Sequence, residues 1–170
     1  MSFMERTLWD ENGMFRSMGV AGPLTPENRK TELTIRRTML TAHQIGGFAA
    51  LGCMVTACVY GQHMIDHPSV RSYRSMHQTF VDASIVSYGA TALLAVLSPP
   101  PMIRRDEVST TTIHKTLAWI HFVGMVATPI LASFIHGGRQ SSFDRAARIH
   151  QISAYVTTAA MAGSMITITF

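Results

Sequence analysis

Apolar stretches recur along the chain at residues 38–61, 75–98, 112–135 and 149–170, separated by short segments where charges, prolines and glycines collect. The third is the most continuous. No formal charge falls between Lys115 and Arg139, a run of about 35 Å at 1.5 Å per helical residue, more than the roughly 30 Å of a hydrocarbon core. A backbone in lipid has to satisfy its own hydrogen bonds, so each stretch is expected to be a membrane-spanning helix. Arg36 and Arg37 precede the first stretch, and Asp66, Pro68, Arg71 and Arg74 part it from the second. Pro99, Pro100 and Pro101 stop the second, because proline lacks the amide hydrogen that a continuing helix needs. Short connections between four spans predict an all-α integral membrane protein, a four-helix up-and-down bundle over residues 38–170.

Residues 1–37 are polar, and Pro23, Pro26, Gly13, Gly19 and Gly22 are expected to break any long helix there. This extramembrane N-terminal arm lacks the apolar core and small-residue cleavage site of a signal peptide, and is not expected to be one. Phe3, Met4, Leu8, Phe15 and Met18 are set among charges. That pattern suits a short helix lying on the membrane surface, or a docking arm ordered by a partner subunit.

Composition agrees. The 170 residues leave room for one compact domain, and 47% hydrophobic with 14% charged is too apolar for an ordinary soluble chain of that size. The net charge of +4 does not point to nucleic acid, because the 14 Lys and Arg sit between apolar stretches instead of in one patch. With a cytoplasmic N-terminus, Arg6, Arg16, Arg29, Lys30, Arg36, Arg37, Arg104, Arg105 and Lys115 fall inside, against Arg71, Arg74, Arg139, Arg145 and Arg148 outside. The positive-inside rule then favours that orientation, with a bacterial inner membrane as the expected location. Cys53 and Cys58 stand about 140° apart around a helix and are not expected to pair. No Cys-x-x-Cys-His supports covalent haem, and no cysteine spacing suggests a zinc or iron–sulfur site.

Chemistry is suggested by the eight histidines. Each stretch carries one near its start: His43, His77, His121 and His150. His-x-x-Gly occurs at His43 with Gly46 and at His121 with Gly124, while His-Gln occurs at His77 and at His150, a weak sign that a two-helix unit is duplicated. In an up-and-down bundle the first and third helices start on the same side. His43 and His121 therefore share one leaflet, and His77 and His150 the other. Two imidazoles delivered by different helices suit the iron of a b-type haem, so the expectation is two such haems, one per pair. Gly46 and Gly124 would remove bulk beside a flat macrocycle. The plainer readings are histidines as interhelical hydrogen-bonding groups and glycines as close-packing sites. Chlorophyll-type pigment, needing one histidine per metal, is a further rival, whereas two imidazoles alone leave zinc's usual shell incomplete.

His114, seven residues before His121 and so on nearly the same face, is a second choice for that ligand or a partner for a haem propionate. Lys115, Arg36, Arg37, Arg74 and Arg148 stand where propionates would emerge or where interfacial anchors belong. Asp82 is the one acid deep within a span, suited to a helix contact or to proton movement. His63, His67 and His136 are expected in solvent on the outer face.

With one histidine per span and alternate spans paired, the region 38–170 resembles the cytochrome b561 family of membrane dihaem proteins. The resemblance implies electron transfer between the two faces, with His43, His77, His121 and His150 as axial ligands. Many members have six spans, and no clear equivalent of the basic site associated with ascorbate stands in this sequence. The expected partners are the lipid bilayer, a quinone or redox protein, and no nucleic acid. The chain would then be an electron-transfer protein or redox subunit more than a stand-alone catalyst. The alternative is a structural or pigment-binding transmembrane subunit of a larger photosynthetic or respiratory complex.

Overall fold

The computed structural model describes residues 3–102, 109–136 and 140–169. The described residues are all-α, with no strand: α1 (Phe3–Trp9), α2 (Met14–Ser17), α3 (Pro26–Asp66), α4 (Arg71–Val96), α5 (Thr110–Ser133), a 3-10 turn (Phe134–His136) and α6 (Gln140–Thr169). Helices α3 to α6 are each long and apolar enough to cross a membrane, in line with an integral membrane protein of up-and-down order. Arg104, Arg105 and Arg139, which enter the charge count, lie outside the described residues.

The first span is part of a longer helix than its apolar stretch. Helix α3 begins at Pro26, where proline is tolerated because the first amides of a helix have no partner within it. The preceding Thr25 accepts a hydrogen bond on Oγ1 from the Asn28 amide at 3.3 Å, as an N-cap does. Residues 26–37 therefore continue directly into the span. In α5, Pro129 sits inside a helix that runs on to Ser133.

The chain divides into two units, Met1–Gly47 with Tyr88–Glu107 and Phe48–Ser87 with Val108–Phe170. In the first, α1 and α2 meet through an edge-to-face contact of Trp9 and Phe15, centroids 5.0 Å apart. The end of α4 is bound by side chains from the arm and from α3. The Trp9 indole donates to Leu97 O at 3.3 Å, Arg36 Nη1 to Pro99 O at 2.5 Å, and Arg29 Nη2 to Pro100 O at 3.2 Å. These donors satisfy carbonyls that a helix ending in prolines leaves without partners. Burial pushes the Arg36 guanidinium below its ordinary value, partly offset by the Glu5 carboxylate. Glu32 is 4% exposed and paired with both Arg16 and Arg29.

In the second unit, α5 packs along α6. Trp119, Val123, Val126 and Ile130 form an exposed stripe on α5 at steps of three and four, continued by Phe134 in the 3-10 turn. The large apolar groups of α5 thus face outward, while the buried side of α6 mixes Thr157 and Ser164, at 2% and 1% exposure, with Ala160, Met161 and Met165. This is the reverse of a water-soluble bundle, and suits lipid, where large apolar groups lose nothing by facing outward.

Removing one member of a buried ion pair leaves an uncompensated charge, here two. Glu32→Ala is expected to cost about 3 kcal/mol in the first unit. Faster protease cleavage between residues 10 and 25 in the detergent-solubilised protein measures this, with helix content by circular dichroism unchanged.

Candidate functional site

Half-buried histidines on four helices are held in one way. His43 Nδ1 lies 2.8 Å from Thr91 O, His77 Nδ1 2.8 Å from Ala57 O, His114 Nδ1 3.0 Å from Ser164 O, and His150 Nδ1 2.9 Å from Thr128 O. A carbonyl only accepts, so each Nδ1 carries the hydrogen, and in the neutral ring the lone pair is on Nε2. Ser164 Oγ, 2.8 Å from His114 Nδ1, can share the same hydrogen.

The bonds define a repeated register. In the α3–α4 pair they join residues 48 and 20 apart in sequence, and in the α5–α6 pair residues 50 and 22 apart. Two antiparallel helix pairs thus share one pattern, offset by a connection two residues longer in the second. It equates His77 with His150, as the His-Gln repeat suggests. It also equates His43 with His114, not with His121, which the His-x-x-Gly similarity selects.

Within the second unit, His77 from α4 and His150 from α6 come together. Their ring centroids are 6.4 Å apart, with the planes at 77°. Two imidazoles bound on opposite sides of one metal, each nitrogen about 2 Å from it, hold their centroids roughly 6 Å apart. Arg16 Nε is the one side-chain nitrogen or oxygen among the described residues that is both buried and without a hydrogen bond, so Nε2 of His77 and of His150 is not sealed off. The donor set, spacing and tautomer fit a bis-histidine haem. No group of three or more His, Cys, Asp or Glu among the described residues could hold a metal by itself. A haem iron has four ligands from its macrocycle and needs only two from protein.

His121 lies on the α6-facing stripe of α5 with His114, Leu117, Gly124 and Thr128, and is buried at 9% exposure. The space beside Gly46 and Gly124 is filled by protein. A Cβ on Gly46 would collide with Thr91 Oγ1, and one on Gly124 with Thr157 Oγ1, so these glycines admit a threonine from the next helix. Gly61, which the sequence pattern does not single out, touches a ligand candidate instead. Its Cβ would stand 3.3 Å from His77 Cε1 and Nδ1.

At the C-terminal end of α3, His63 is half-buried, not in open solvent. It stacks on Tyr73 with centroids 5.1 Å apart, and His67 lies 6.2 Å from it. The side chain of His136 is outside the described residues. Lys115 and Arg37 are exposed, as is Asp82. Cys58 Sγ meets Thr158 Oγ1 at 3.5 Å, and both cysteines are free thiols.

Sequence alone could not find Ala57, Thr91, Thr128 and Ser164, because they act through backbone carbonyls that every residue has. No family model, curated protein or solved structure matches this chain.

Overpacking a close helix contact costs about 1–3 kcal/mol. Gly46→Ala is expected to lower thermal stability in detergent by that order, and Thr91→Ala in the same chain to recover most of it, because Thr91 Oγ1 is the clashing atom and Thr91 Cβ stands 3.6 Å from the added Cβ. Gly52→Ala should be nearly neutral, since its Cβ would meet nothing within 4 Å.

Proposed function

We propose that the chain is a membrane b-type cytochrome that carries electrons between two bis-histidine haems on opposite sides of the bilayer. The observation behind this reading is the His77–His150 pair, with centroids 6.4 Å apart and each Nδ1 committed to a backbone carbonyl. Each carbonyl fixes its ring in the tautomer whose Nε2 can bind iron, and strengthens that nitrogen as a ligand. The Ala57 and Thr128 carbonyls come from helices other than those bearing the histidines, so ring orientation is set by helix packing. Bound there, haem would supply an iron that takes up and releases one electron.

For the second haem, the sequence pattern supplies His43 and His121, and the hydrogen-bond register supplies His114 in place of His121. The likeness to the cytochrome b561 family in histidine placement supports the same reading. A paired arrangement favours haem over chlorophyll-type pigment, which needs a single histidine. The excess of positive residues supports a cytoplasmic N-terminus in a bacterial inner membrane, with a quinone or an attached redox protein exchanging electrons.

The test is a reduced-minus-oxidised visible spectrum of the purified protein, expected to give low-spin b-haem bands at about two haems per chain. His77→Ala and His150→Ala should each remove the same haem and leave the other. His114→Ala should remove the second haem, whereas His121→Ala should leave both and lower thermal stability. Protein purified from haem-replete cells without haem would sink the reading. Loss of different haems in the His77 and His150 variants would break the pairing.

A further inference from the structure

Helix α4 carries one face of exposed residues within the second unit. Ser75, Thr79, Asp82 and Val86 recur at steps of four, three and four, and all are exposed, Val86 at 73%. The helix runs from Arg71 to Val96, so Asp82 lies 11 residues from one end and 14 from the other, about 16 and 21 Å along the axis. The apolar stretch itself begins at Ser75, so the carboxylate stands about 10 Å inside it, on an outward face. It has no hydrogen bond or ion pair among the described residues. A charged group in hydrocarbon is costly unless something outside the chain pairs with it.

The occupant can be narrowed by charge. A second copy placed face to face would set Asp82 against Asp82, since a two-fold contact brings the same patch together. Other faces of a second copy are no better matched. The Lys and Arg of the long helices all precede residue 38 in α3, 75 in α4, 116 in α5 and 149 in α6, outside the apolar stretches or within their first turn, whereas Asp82 is two turns inside its own. We infer that this face of α4 docks a transmembrane helix of a different protein, one that carries a Lys or Arg within its apolar stretch at the depth of Asp82. Ser75 and Thr79 add small polar side chains that allow close approach along the same stripe.

The probe is a synthetic Leu/Ala transmembrane peptide with one central Lys, compared with the same peptide carrying Leu there. The full chain, with Cys53→Ser, Cys58→Ser and an acceptor dye on Ser69→Cys, is reconstituted in phosphatidylcholine vesicles. Energy transfer from donor-labelled peptide is then titrated. The Lys peptide is expected to bind about ten-fold more tightly than the Leu peptide. Asp82→Asn should abolish the preference and Asp82→Glu retain it, with helix content unchanged by circular dichroism. Equal binding of the two peptides, or a preference that survives Asp82→Asn, overturns the inference. Self-association of the chain that depends on Asp82, without a preference for the Lys peptide, overturns it in favour of a second copy.

Discussion

The structure depends on how an imidazole is made acceptable inside an apolar helix pair. Its ring has two nitrogens, and in hydrocarbon neither can be satisfied by water. Giving the Nδ1 hydrogen to a main-chain carbonyl of the neighbouring helix solves half of the problem and fixes the ring. That carbonyl also accepts from its own helix, and its second lone pair takes the imidazole without breaking the first bond. Four histidines use this solution, so the positions of His43, His77, His114 and His150 are bound to the registers of α3 on α4 and of α5 on α6.

Helix contact in such a chain cannot come from burying large apolar groups, because the bilayer accepts them as readily as the protein does. Close approach takes its place. Thr91 fits against Gly46, Thr157 against Gly124, and the Leu117 side chain against Gly163. Each brings backbones near enough for an imidazole to span from one helix to the carbonyl of the next. A bulky residue at these positions would separate the helices and break the anchoring of the rings, so helix packing and ring geometry are one constraint.

The two units use different physics. In the first, an arm outside the apolar stretches binds the end of α4 through Trp9, Arg29 and Arg36, and the charges there are buried but paired. In the second, the polar groups that join helices are hydroxyls, imidazoles and the amides of Gln62 and Gln151. Asp82 departs from both patterns, as an acid with no hydrogen bond or ion pair among the described residues.

The four spans were legible in the sequence because lipid imposes a length and excludes charge, and both can be counted along a chain. So were the equivalence of His77 with His150, which shares a neighbouring glutamine, and the stop at Pro99 to Pro101. The start of α3 at Pro26 was misread because proline breaks a helix only where an amide is needed, and at the first position none is. The match of His43 with His121 followed a shared glycine, yet in the structure the glycines serve threonines. The match with His114 rests on backbone carbonyls, which leave no trace in side-chain identity. Sequence by itself determined how many long apolar helices there are and where an imidazole stands in each, since hydropathy and side-chain type belong to residue types. Tertiary structure decided which imidazoles share a register, which tautomer each holds and which faces are left outward, because all three depend on how one helix is set against another.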